Sequence, residues 1–134
     1  MKKTGIVTSF LKHNGKILIL KRSDKVKTMK GLWAGISGII ENSESPIERA
    51  EIEIFEELGI EQQYIRLIKS AKELTIKSPQ YDDHQWVIFP FLFVTEKSEI
   101  KLNWENSEFK WIDANQLKKF HTVSNLEKVL FSVL

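Results

Sequence analysis

The stretch from Ser45 to Gly59 constrains this chain more than any other. Ser45 is a good N-cap, Pro46 suits the first helical position, and Glu48 completes an S-x-x-E capping box. Gly59 follows the last periodic residue and reads as a left-handed C-terminal cap. Between the caps, Ile47, Ala50, Ile54 and Leu58 recur at three- and four-residue spacing, which predicts a helix over 46–58 with one apolar stripe.

The remaining sequence supplies strands. Thr4 to His13 alternates loosely, Asn14-Gly15 is a strong hairpin signal, and Lys16 to Lys21 follows, so an N-terminal β-hairpin is expected. Residues 23–45 are rich in turns, with short extended pieces around Trp33 to Ile40. Tyr64 to Ile76 reads as one strand and Trp86 to Thr95 as a second, with Pro79 and Asp82-Asp83 between them favouring an antiparallel pair. Phe109 to Ile112 is a short strand. Asp113 caps a helix to about Phe120, and Ser124 or Asn125 caps a last amphipathic helix. This order predicts an α/β fold, a mixed sheet with helices on both faces. No repeat, low-complexity tract or linker interrupts it, so residues 1–134 are expected to form a single domain.

Composition narrows the function classes. With 42% apolar and 28% charged residues the chain is no disordered tail. No apolar run approaches the ~20 residues of a membrane span. The absence of cysteine removes disulfides, Cys-ligated zinc and a thiol nucleophile. Without a signal-peptide pattern, a cytoplasmic location is expected.

A formal charge of +2 is too small to announce nucleic acid by bulk electrostatics. The charges are uneven, however. Residues 12–30 carry Lys12, Lys16, Lys21, Arg22, Lys25, Lys27 and Lys30 against Asp24 alone. Residues 41–61 carry eight glutamates against Arg49. These are either ordinary solvated faces or a basic rim that receives an anion beside an acidic cluster that holds cations. Glu53, Glu56 and Glu57 share one quadrant of the expected helix, where like charges repel by a few tenths of a kcal/mol per pair, on the order given by exposed helices. A divalent cation reverses that cost, because Mg²⁺ takes hard oxygen ligands and commonly combines carboxylates with substrate phosphates.

Read outward from the cluster, the pattern is Gly38, five residues, Glu44, seven residues, Ile52, then Glu53-Ile54-Phe55-Glu56-Glu57-Leu58-Gly59-Ile60. It resembles the Nudix box, G-x5-E-x7-R-E-U-x-E-E-x-G-U, with one specified position different: Ile52 stands where the family has arginine. Outside the box, Leu20-Lys21-Arg22-Ser23 is similar to the family's basic strand end. Trp33 precedes Gly38 by five residues, and Glu105 and Glu108 precede Trp111-Ile112-Asp113. Ile36-Ser37-Gly38 replaces the frequent P-G-G, and Ser43 a frequent glycine. Arg49, four residues before Glu53, is the candidate to supply the counter-charge that Ile52 lacks.

The resemblance implies a Nudix-like α/β/α sandwich and a Mg²⁺-dependent pyrophosphohydrolase, with Mn²⁺ as a substitute ion. The substrate implied is a nucleoside diphosphate linked to another group, a nucleoside triphosphate first. ADP-ribose, dinucleoside polyphosphates and 5′-triphosphate RNA stay open, other nucleic acid and membrane partners are not expected, and a homodimer would suit the family. Glu53, Glu56 and Glu57 would ligate metal with the Gly38 carbonyl nearby, and Glu53 could instead act as the base. Glu44 would orient its loop or reach metal through water, with Glu41 an outer ligand. Lys21 and Arg22 would meet phosphate, and Glu105 or Glu108 would add a further acid. Phe10, Trp33, Tyr81, Trp86 and Phe91 offer stacking surfaces, and His84 a ligand contact. The alternative is a catalytically weak nucleotide- or RNA-binding module of the same fold.

Overall fold

The computed structural model describes residues 2–78 and 83–134. In chain order the elements are β1 (Lys2–His13), β2 (Lys16–Arg22), β3 (Trp33–Ala34), β4 (Ile36–Ile39), α1 (Pro46–Leu58), β5 (Ile65–Ser70), β6 (Leu74–Lys77), β7 (His84–Thr95), β8 (Asn106–Ile112) and α2 (Leu126–Ser132). Short 3-10 helices lie at Gln62–Tyr64 and Ala114–Lys119. Pro79, Tyr81 and Asp82 fall outside the described residues.

The eight strands form one mixed sheet, and β1 is its spine. β1 runs parallel to β7 along nearly its whole length, from Lys2↔His84 to Lys12↔Val94. The predicted hairpin forms around Asn14 and Gly15, both at positive φ, as a two-residue turn requires. It pairs only at Lys12↔Ile17 and His13↔Lys16. The two strands then separate. β4 takes β1's free edge from Ile6↔Ile39 to Ser9↔Ile36, while β2 pairs with β3 and β8.

Strand periodicity sorts the core into two layers. Ile17 and Ile19 of β2 join Phe10, Leu126, Val129 and Leu130 on the α2 face. Leu18 and Leu20 join Val7, Leu11, Ala50, Ile54 and Leu58 on the α1 face. Helices therefore cover both faces of the mixed sheet, as the element order predicts. α1 spans the predicted residues, with the Ser45–Glu48 capping box formed and Gly59 left-handed at φ 75°.

Two elements differ from expectation. The single strand expected over Tyr64 to Ile76 is broken at residues 71–73, and β5 and β6 pair with the same strand, β7. Opposite the break, Pro90 accepts from the Ala71 N–H at 3.4 Å but has no N–H to return, so the ladder lapses there. The helix after Asp113 is a 3-10 helix, closed by Gln116 N–H to Asp113 and Phe120 N–H to Leu117. Among the described residues no helix is long and apolar enough to cross a membrane.

Candidate active site

α1 lays more than aliphatic residues on the sheet. Arg49, Glu53 and Glu57, one turn apart along the same side, are 7%, 8% and 3% exposed. Burying ionisable groups is costly unless each finds a partner. Arg49 finds three. Its Nη1 donates to Glu53 Oε2 at 2.9 Å, its Nε to Glu44 Oε2 at 2.8 Å, and its Nη2 to Glu44 Oε1. Nη2 also lies 3.3 Å from Glu41 Oε2. Glu44 accepts a further bond from the Glu41 N–H at 3.0 Å. The fork of one guanidinium thus ties the loop before the helix to the helix itself. Hydrogen bonds from Arg49 chiefly hold the Glu44 carboxyl below its usual range, and Glu44 in turn fixes the charge on Arg49.

Gly38 lies in β4 opposite Val7, not in a loop, and its φ is not left-handed. Its lack of a side chain has a different cause. A Cβ there would overlap the Glu53 carboxylate, which packs directly on the glycine backbone. The box glycine and the first helix glutamate are one contact.

Glu57 is the deepest of the three acids. Asn106 Nδ2 donates to its Oε1 at 3.1 Å, and Oε2 is buried with no hydrogen-bond partner. Burial pushes the Glu57 carboxyl well above the usual carboxylate range, and the charges on Glu105 and Glu53 push it further; the Asn106 bond works the other way. Glu53 is also raised, first by burial and then by Glu56 and Glu105, against the pull of Arg49. Carboxylates have no donor to share between them. The bare Oε2 is an acceptor open to a proton, a water or a cation.

That choice tests whether a hard divalent ion suits the site. The donors are carboxylate oxygens and backbone carbonyls, as Mg²⁺ prefers. Among the described residues no three acidic or histidine side chains are grouped so as to hold a metal ion by themselves. Glu53 is held by Arg49 and Glu57 by Asn106. An orphaned buried oxygen, flanked by two further carboxylates, fits the ion. Glu56, the remaining helix acid, is exposed beside them.

A cleft of about 390 Å³ lies on the α2 face of the sheet, and it meets the cluster through Gly38, on which Glu53 packs. Gly38, Glu105, Arg22 and Thr28 stand toward its acidic end, while Ile76, Trp86, Ile88, Leu126 and Val129 give apolar wall. Arg22 reaches it because the β2–β8 ladder shifts register between Lys21 and Arg22, setting Arg22 opposite Asn106. The Arg22 guanidinium is braced by the Thr28 carbonyl, which accepts from Nε at 3.2 Å and Nη2 at 3.0 Å.

Other sequence candidates lie elsewhere. Lys21 and Glu108 face each other across the β2–β8 ladder, 3.5 Å apart and exposed, away from the cleft lining. Trp33 is a core residue, edge-on to Phe120. Phe10 and Phe91 are core as well. His84 bonds Thr4 Oγ1 at 2.8 Å and lies against Trp86. Tyr81 lies outside the described residues. Asn106 went unnoticed in the sequence, because only the β8 register brings it under α1; no local pattern marks it.

Residues 2–132 match the family model of the NUDIX domain. This chain belongs to the Nudix family. As a Nudix hydrolase it acts on phosphoanhydride bonds, and hydrolases of this family generally use divalent metal ions. An RNA pyrophosphohydrolase of Bartonella clarridgeiae is 29% identical, over 78% of this chain and 72% of that one. The MutT protein of Methanosarcina mazei shares the fold with TM-score 0.75 at 20% identity, covering 93% of this hydrolase and 87% of its own chain. An Ap4A hydrolase of C. elegans does so with TM-score 0.74 at 16% identity, covering 98% and 94%.

Proposed function

We propose that this hydrolase is a Mg²⁺-dependent pyrophosphohydrolase, with Mn²⁺ able to substitute, whose first substrate is a nucleoside triphosphate in the cytoplasm. One observation carries the proposal: a cleft whose lining combines an apolar wall with Arg22, Glu105 and Gly38, the glycine on which the Glu53 carboxylate packs. A nucleobase suits the wall of Trp86, Ile76 and Leu126, and a polyphosphate suits the end at Gly38, Arg22 and Glu105. The products would be a nucleoside monophosphate and pyrophosphate, formed when water attacks one phosphorus and the bridging P–O bond breaks.

Glu53, Glu56 and Glu57, with the Gly38 carbonyl, would hold the ion. When bound, it neutralises the phosphate oxygens and lowers the pKa of water at the site. Arg49 holds Glu53 on Gly38, so the ligand set is oriented before substrate arrives. Asn106 fixes Glu57 through Oε1 and leaves Oε2 to face the ion. Arg22, braced by Thr28, presents charge to a phosphate oxygen. Glu105 lines the cleft and acts electrostatically on both Glu53 and Glu57, whereas Glu108 is taken by Lys21. Glu105 is therefore our candidate to orient the attacking water and accept its proton.

The named activity of the Bartonella relative supports a second form of the same chemistry, a triphosphate at the 5′ end of RNA. The test is a panel of nucleoside triphosphates, ADP-ribose, dinucleoside polyphosphates and 5′-triphosphate RNA, each with Mg²⁺, Mn²⁺ or chelator. Pyrophosphate release that needs the metal is expected. Nucleotide binding without turnover in any metal would instead establish a binding module.

A further inference from the structure

Between the two ends of the cleft lies a pair of hydroxyl groups that neither metal nor phosphate chemistry employs. Thr8 of β1 stands opposite Ser37 of β4 in the antiparallel ladder, and their hydroxyl oxygens are 3.1 Å apart. Both residues line the cleft. The next pair on the same face is Ile6↔Ile39, with Ile88 beside Ile6 on β7, so isoleucines flank the hydroxyls. Thr8 is buried, and its branched side chain is held in one orientation. Its methyl faces Gly35, where a Cβ would come within 3.3 Å of it, and its Oγ1 faces Ser37.

Sheet order fixes where this pair falls along the cleft. Arg22 ends β2 and Glu105 precedes β8 on one side, while Trp86 of β7 and Ile76 of β6 lie on the other. β4 and β1 run between them. The hydroxyls therefore occupy the middle, between the groups suited to phosphate and the wall suited to a base. A nucleotide has its sugar there. Two hydroxyls offer two donors and four lone pairs, and the bond between them uses one of each. One donor and three lone pairs are left over in an apolar setting, where unmet polar groups are costly. A phosphate oxygen only accepts, and would use the donor alone. A sugar cis-diol both donates and accepts, and so matches the remainder.

We infer that Thr8 and Ser37 hold the 2′,3′-diol of a ribose, so that this hydrolase discriminates ribonucleotides from deoxyribonucleotides. The inference rests on the pyrophosphohydrolase reading and names the sugar of its substrate. A deoxyribose fills the same space but brings one hydroxyl fewer. Part of the pair's capacity then stays unmet once the substrate has displaced water from the cleft. The two residues set specificity and take no part in the chemical step. Strand alternation turns Ser37 toward the cleft and the adjacent Gly38 toward Glu53, so sugar and metal would be bound by neighbouring residues.

The experiment measures kcat/KM for ribonucleoside triphosphates and for their 2′-deoxy and 3′-deoxy counterparts with Mg²⁺. The ribonucleotide should be preferred by about tenfold over either analogue, on the scale of one hydrogen bond left unmet. Thr8→Val keeps the shape and removes the hydroxyl, and should bring both ratios toward one. Ser37→Ala should do the same. Thr8→Ser keeps the hydroxyl and should retain the preference. Each ratio is internal to one variant, so a general loss of folded protein leaves it unmoved. Equal turnover of ribo- and deoxyribonucleotides by the wild type overturns the inference while the hydrolase reading stands. So does a preference that survives Thr8→Val or Ser37→Ala, or one that is lost in Thr8→Ser. If none of the triphosphates is turned over, that reading fails. Calorimetry of ADP and 2′-deoxy-ADP then decides the inference by itself: tighter binding of the ribonucleotide that Thr8→Val abolishes upholds it, and any other outcome ends it.

Discussion

Glu57 carries two opposed demands. Its buried carboxyl is costly to ionise in the metal-free protein, yet ionised is the form that a cation needs. At low pH both folded and unfolded chains keep the proton. As pH rises past the ordinary value near 4.5, the unfolded chain releases it while folded Glu57 retains it, so the folded state binds more protons and stability falls. The fall ends once pH passes the raised folded value. In chelator, Glu57→Gln should therefore raise the Tm at neutral pH and flatten this part of the pH profile, while turnover drops by about 100-fold or more. A Glu57→Gln Tm below wild type in chelator would contradict the strained-carboxyl account. Glu57 was legible from its place in the box. Its partner Asn106 was not, because their meeting depends on strand register, which no spacing in the sequence encodes.

At the scale of the helix, α1 was the most legible element, because its caps and stripe are local signals that tertiary packing had no cause to override. The sequence also pointed to Arg49 as a counter-charge, and the buried pair with Glu53 is present. Arg49→Ala leaves buried Glu53 without that partner and frees Glu44. A loss of about 3–5 kcal/mol is expected in urea unfolding, together with weaker Mg²⁺ binding by calorimetry. Arg49→Lys should recover only part, because a point charge cannot bond both carboxylates as the fork does. Ile52 is 38% exposed. An arginine there stays solvated beside Glu48 and Glu56, one turn away on either side, and Ile52→Arg should change stability by no more than about 0.5 kcal/mol. It should not replace Arg49, since position 52 adjoins Glu53 in sequence and neighbouring helix positions do not face each other. The division of β5 from β6 was less legible. Both segments read as strand, and the break is imposed by Pro90 on the strand opposite.

For the whole molecule, a cation at the carboxylates would act as a staple, because its candidate ligands come from β4 and α1, and Glu105 precedes β8. A ligand at 100 times its Kd adds about 2.7 kcal/mol to the folded state, or roughly 10 °C in Tm at this size. Mg²⁺ should raise the wild-type Tm by that order, and the Glu57→Gln protein should respond far less. An identical shift in both would remove Glu57 from the ligand set. Mixed-sheet architecture was legible from the order of elements. The cleft was not, since its walls come from β1, β4, β6, β7 and α2, which only the sheet order brings together.

That β1 touches β2 at only two positions before the strands part also bears on how the chain is made. A ribosome delivers the hairpin, β4 and α1 before β5 and β6, and only then β1's long parallel partner, β7. Until then Gly38, Glu53 and Arg49 rest on a spine with one edge bare. Distant pairing of this kind is slow to close. The acidic site is thus synthesised before the strand that makes it rigid, and the growing chain carries an open strand edge in the interval.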